Sequence, residues 1–173
     1  MKTASSENGK LFEDLLSLRE DVFRICLGFS RDPTDAEDLS QEVYLKAYRG
    51  IADVHTPYAA REWLFRITRN TCLDHAKREM TARRHVQSLD PAEASDERTP
   101  DVAADTTERL SALKRTIAGL PKKQREILVL REYGRLSYQE LGRTLGIREG
   151  TVMSCLNRAR RAVIDHLKEA GYA

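Results

Sequence analysis

The sequence predicts an all-α protein built as two small helical bundles joined by a flexible acidic linker, the second bundle containing a helix-turn-helix. Two observations carry the fold class. Apolar residues recur at steps of three and four on both sides of the chain's middle, and no segment alternates with the period of two that marks a strand. A third separates the bundles: "DPAEASDERTPDVAADTT", from Asp90 to Thr107, has two prolines, many acids and no aromatic residue, so it lacks the means to bury a face. The expected organisation is therefore a domain over 1–88, a linker over 89–108 and a domain over 109–173.

Each element can be justified in order. "LFEDLLSLREDVFRICLGF" puts Leu11, Leu15, Leu18, Val22, Ile25 and Phe29 on one face of a first helix. "TDAEDLSQEVYLKAYRGI" starts a second behind Pro33, with Thr34 and Glu37 spaced as a capping box and Ala36, Leu39, Val43 and Ala47 turned inward. Pro57 opens a third, "YAAREWLFRITRNTCLDHAKRE", with Trp63, Ile67 and Leu73 inward and Arg61, Arg66, Arg69, Lys77 and Arg78 in water. Asn70 and Thr71, poor helix formers, are expected to interrupt it. After the linker, "LSALKRTIAGL" and "PKKQREILVLREY" restore the helical period, with Pro121 suited to a first helical position.

"LSYQELGRTLGIREGTVMSCLNRARRAV" reads as two helices joined by a tight turn. Ser137 and Glu140 form a capping box, Leu141 and Leu145 face inward one turn apart, and Gly146 supplies the positive φ that stops the helix. In the following helix Val152, Leu156 and Ala159 or Val163 repeat at core spacing, which is expected to turn Thr151, Ser154, Cys155, Asn157 and Arg158 outward. Such a helix suits the DNA major groove, where Arg can read guanine and Asn adenine. A plain antiparallel helix pair can mimic the pattern, but Lys122, Lys123, Arg125, Arg143, Arg160 and Arg161 in the same segment are available for phosphates.

Charge counted by segment supports a polyanionic partner. The overall net charge is only +2, yet residues 11–56 carry −5, 57–88 +4, 89–108 −6 and 109–168 +9. Two basic surfaces separated by acidic ones imply two contacts with nucleic acid. Other classes find little support. His55, His75, His85 and His166 make no metal-ligand spacing, no glycine-rich phosphate loop is present, and no nucleophile-base set can be assembled, so neither enzyme, cofactor nor metal is expected. No apolar run reaches the roughly 18 residues of a membrane span and the start resembles no signal peptide, so the expected location is the cytoplasm. Cys26, Cys72 and Cys155 are far apart in sequence and are read as reduced thiols, with no resolving partner nearby.

Three stretches in order resemble the extracytoplasmic-function sigma factors of bacterial RNA polymerase, and the resemblance covers nearly the whole chain. "DAEDLSQEVYLKAY" resembles the family's polymerase-binding helix, "REWLFRITRNTCLDHAKRE" its −10-reading and melting segment, and the segment from Leu120 to Val163 its −35-reading domain. The resemblance implies that Asp38, Gln41 and Glu42 grip core RNA polymerase. It also implies that Arg66, Arg69, Asn70, Thr71, Lys77 and Arg78 meet the −10 element, with Asn70 bonding a flipped base. On the −35 side Ser154, Asn157 and Arg158 are base-contact candidates, with Thr151, Arg160 and Arg161 nearer the backbone. Met153 and Cys155 depart from the family's basic residues. The implied partners are core RNA polymerase, promoter DNA and an anti-sigma factor. The competing reading is a stand-alone helix-turn-helix regulator, which would need neither the DAEDLSQE helix nor the basic segment before the linker.

Overall fold

The computed structural model describes residues 2–54, 57–87 and 104–171. These form eight α-helices: α1 (Lys2–Leu16), α2 (Arg19–Ser30), α3 (Pro33–Gly50), α4 (Pro57–Gln87), α5 (Ala104–Gly119), α6 (Lys122–Glu132), α7 (Tyr138–Leu145) and α8 (Glu149–Glu169), with one 3-10 turn at Ile51–Asp53. No strand occurs among the described residues. The all-α expectation is met, with α1 to α4 in one bundle and α5 to α8 in the other.

Several boundaries differ from the sequence reading, each for a local reason. The predicted first helix is two: the Ser17 hydroxyl donates to the Asp14 carbonyl at 2.6 Å, a local bond that competes with the helical ladder, and the chain restarts at Arg19. Helix α3 is capped by Asp32 and not by Thr34. The Asp32 carboxylate accepts from the backbone N–H of Thr34 at 2.8 Å and of Asp35 at 3.0 Å, and Pro33 occupies the first helical position, where its missing N–H costs nothing. Pro121 instead takes the cap position of α6, with ψ at 137°.

The expected interruption at Asn70-Thr71 is absent. Helix α4 runs unbroken for 31 residues. Poor propensity at two positions costs less than about 1 kcal/mol each, and packing outweighs it: Thr71 is buried, its hydroxyl accepting from the Lys46 ammonium at 3.0 Å, and Cys72 enters the core beside it. Of the expected linker, 89–103 lie outside the described residues, whereas 104–108 already belong to α5.

The first bundle closes around Val22, Ile25, Cys26, Leu39, Val43, Leu64 and Phe65, the second around Ile127, Leu130, Leu136, Leu141, Val152 and Leu156. Capping box and turn take the predicted form in the second. Ser137 accepts from the Glu140 N–H, Glu140 accepts from the Ser137 N–H at 2.6 Å, and Gly146 takes φ of 65°. Replacing Ser137 by Ala removes one of these bonds and is expected to cost about 1 kcal/mol, a fall in Tm of about 3 °C. A Tm within error of the parent would show that the cap contributes nothing measurable.

The two bundles touch. Helix α4 meets α7 and α2 meets α6. Gly28 on α2 permits the second contact, because a Cβ there would lie 2.8 Å from Val129 Cγ1 and 2.9 Å from the Tyr133 ring.

Candidate nucleic-acid interface

Helix α8 turns Val152, Cys155, Leu156 and Ala159 into the bundle. Cys155 is therefore inward, contrary to expectation: it is the third-step member of a stripe that starts at Val152, so the apolar face is wider than the minimal spacing implied. The Arg158 guanidinium donates to its sulfur at 3.5 Å and to the Ser154 carbonyl at 3.2 Å, which lays that side chain along the helix surface. Ser154, Asn157, Arg158 and Arg161 are exposed and Thr151 is half-buried. Met153 is 52% exposed on the same side. Arg160 is exposed as well but paired with Glu132 at 2.7 Å, a contact that raises its pKa further and leaves its charge in place. One helix thus presents a hydroxyl, an amide, a thioether and three guanidiniums to solvent, one of the guanidiniums paired with Glu132.

Helix α4 carries the other basic row. Arg66, Asn70, Lys77 and Arg78 are exposed, Lys77 lying 3.5 Å from Asp74 and Arg78 3.6 Å from Glu42. Thr71 is not part of this surface, since the chain buries it against Lys46. Arg69 is also occupied. Its guanidinium donates twice to Glu126 of the other bundle, at 2.7 and 3.0 Å. Arg61 pairs with Glu140 and donates to the Gly134 carbonyl at 3.1 Å, and Arg143 pairs with Glu62 at 2.9 Å. These three cross-bundle ion pairs escaped the sequence reading. One signal was available: Glu126 interrupts "REILVL", and a carboxylate at core spacing needs a cation.

Helix α3 supplies a separate face. Asp38 and Gln41 are exposed, and Glu42 accepts from Lys46 at 2.7 Å. The Lys46 ammonium, with Arg78 nearby, holds the Glu42 carboxyl below the usual range, so it stays charged. Leu45 at 57% and Tyr48 at 66% exposure continue from Gln41 along the helix, with the Tyr48 ring edge-on to Phe12 at 5.4 Å. These two apolar residues were not singled out from sequence, because an exposed Leu cannot be told from a buried one by composition alone.

Comparison with known proteins agrees with this layout. The family "Sigma-70 region 2" matches residues 15–84 and "Sigma-70, region 4" matches 110–163. The chain is 32% identical over 162 residues to the RNA polymerase sigma-H factor of Pseudomonas aeruginosa, covering 87% of this chain and 83% of that protein. It is 34% identical over 149 residues to the ECF RNA polymerase sigma factor SigE of Mycolicibacterium smegmatis, covering 84% of this chain but 57% of the relative's length. Its fold is similar to that of CnrH, solved in complex with the cytosolic domain of CnrY, with a TM-score of 0.69 at 22% identity over 97% of this chain and 94% of that one. It is also similar to the sigma factor RpoE of Bartonella quintana, solved with the anti-sigma factor NepR, with a TM-score of 0.68 at 24% identity over 90% and 95%. Two family segments that together cover most of the chain favour this reading over a stand-alone regulator: the chain belongs to the extracytoplasmic-function sigma factors of the sigma-70 family, which direct RNA polymerase to promoters.

Proposed function

We propose that residues 1–88 bind core RNA polymerase and open the −10 element, that 89–108 connect the domains, and that 109–173 read the −35 element. The observation that carries this reading is the exposed row Ser154, Asn157, Arg158 and Arg161 on a helix that buries Val152, Cys155, Leu156 and Ala159 in the core. Ser154, Asn157 and Arg158 meet base edges, with Met153 placed to contact a thymine methyl, while Thr151, Arg160 and Arg161 meet phosphates. On α4, Asn70 bonds a base out of the stack, and Arg66, Lys77 and Arg78 follow the strand. Arg69 joins them only after it leaves Glu126, so the closed arrangement of the two bundles must open before the −10 element is engaged. Asp38, Gln41, Glu42 and the apolar Leu45 and Tyr48 form the polymerase-binding face. The chain acts as an initiation factor in the cytoplasm and not as a catalyst; among its described residues no helix is long and apolar enough to cross a membrane. Solved relatives are bound to CnrY or NepR, which supports an anti-sigma partner for this chain too.

The test is capture of purified core polymerase by the chain, followed by run-off transcription from a library randomised at both promoter elements. Binding with dependence on both elements is expected; transcription indifferent to the −10 element would remove the role given to α4. Within that assay Arg158→Ala should lose about 1–3 kcal/mol at one −35 base pair and relax specificity there, whereas Arg161→Ala should weaken all sequences alike. Uniform losses for Arg158→Ala would move it from base readout to phosphate contact.

A further inference from the structure

Cys26 and Cys72 are separated by 46 residues in sequence but meet in the core between α2 and α4. The Cys72 thiol donates to the Cys26 sulfur across 3.8 Å, and both side chains are essentially without solvent exposure. Buried cysteines usually serve as small apolar groups, and either one alone would need no further account. Their contact is different, because a disulfide has its sulfurs about 2 Å apart, and a closure of roughly 2 Å lies within the reach of side-chain rotation in two abutting helices. Cys155, in the other bundle beside Arg158, provides a thiol outside this pair.

We propose that Cys26 and Cys72 form a redox-modifiable pair that a peroxide closes into an intramolecular disulfide, locking α2 to α4 at the residue that follows Asn70 and Thr71. The chemistry balances with peroxide as the oxidant. The Cys26 sulfur attacks one peroxide oxygen, the O–O bond breaks, and the departing oxygen takes a proton to leave as water, giving a sulfenic acid. The Cys72 sulfur then attacks the Cys26 sulfur, the S–O bond breaks, and the hydroxyl leaves with the Cys72 proton as a second water. Two thiols lose two electrons, and one peroxide becomes two waters. The order follows from the environment: Cys26 accepts the hydrogen bond of Cys72, and this interaction lowers the Cys26 pKa and raises that of Cys72. Hydrogen peroxide is nearly as small as water, so local opening between α2 and α4 suffices for access.

The test treats the full chain with hydrogen peroxide, then counts thiols in denaturant and maps the peptides by mass spectrometry. The expected result is three free thiols falling to one, a linked Cys26–Cys72 peptide, and recovery of three after dithiothreitol. Cys26→Ser and Cys72→Ser should each abolish the linkage, and Cys155→Ser should keep it. Three thiols persisting, or a linkage through Cys155 or between two chains, would overturn the proposal. The thiol count stands apart from the sigma-factor reading. The functional consequence rests on that reading: run-off transcription by fully closed chain bound to core polymerase should fall and return on reduction. Unchanged transcription would overturn the role as a switch.

Discussion

Asp38→Arg combined with Glu42→Arg should abolish capture of core RNA polymerase while leaving the helical content unchanged. Both positions lie one turn apart on α3, on the opposite side from buried Leu39 and Val43, so neither substitution enters the core. The exchange turns two acids into two bases on a face that an oppositely charged partner is proposed to grip, and like charges across an interface cost several kcal/mol. Loss of affinity by a factor of more than about 100 is therefore expected. Glu42→Arg also confronts Lys46 and Arg78, which now pair with that carboxylate, so some local loosening accompanies it. Asp38→Arg alone is the cleaner control, and its effect should be read in the on-rate and the salt dependence. Undiminished capture by the folded double variant would place the polymerase contact elsewhere, Leu45 and Tyr48 being the next surface to change.

Glu126→Arg should drive the two bundles apart. Arg69 and Glu126 form the most buried of the cross-bundle ion pairs, with Glu126 at 5% and Arg69 at 24% side-chain exposure. Removing one partner of such a pair and replacing it with a like charge costs about 2 kcal/mol or more, even after allowing for the water that reaches Arg69. The bundles can relieve that cost by separating where α4 meets α7 and α2 meets α6, at the further cost of the apolar contacts made there. A compact chain of this length has a radius of gyration of about 16 Å, and the variant should exceed it by several ångströms in small-angle scattering with no loss of helix. Arg61–Glu140 and Arg143–Glu62 oppose the opening, so adding Glu140→Gln should enlarge the effect. Gly28→Ala offers an uncharged route to the same end through its clash with Val129 and Tyr133. A radius unchanged in Glu126→Arg would mean that the other contacts hold the closed form without this pair. In the open variant Arg69 is released, and binding to single-stranded −10 DNA should tighten.

What was legible in the sequence is what local chemistry dictates. Periodicity set the helices of both bundles except for the break at Ser17, the spacing of Ser137 and Glu140 set a capping box, and Gly146 announced its left-handed stop, because each depends only on neighbours within a turn or two. The exposed row on α8 followed in the same way, from the core positions that alternate with it. Where local signals competed with packing, the sequence reading erred: Asn70 and Thr71 weaken a helix in isolation, yet burying Thr71 and Cys72 carries α4 straight through them. Cys155 was assigned to solvent because a minimal apolar stripe did not need it; the breadth of the face α8 buries drew it in.

The remaining features depend on residues far apart in the chain, and only the tertiary structure could decide them. Arg69 finds Glu126 across 57 residues, Arg143 finds Glu62 across 81, and Cys26 finds Cys72 across 46. No periodicity encodes such pairs, since each partner alone looks like a solvated charge or a small core residue. Sequence by itself determined that this chain alternates basic and acidic helical segments, the ones proposed above to meet promoter DNA and polymerase. The fold decided which of those charges are already paired, because a buried carboxylate must find a cation and Glu126 finds its own, Arg69, on the other bundle.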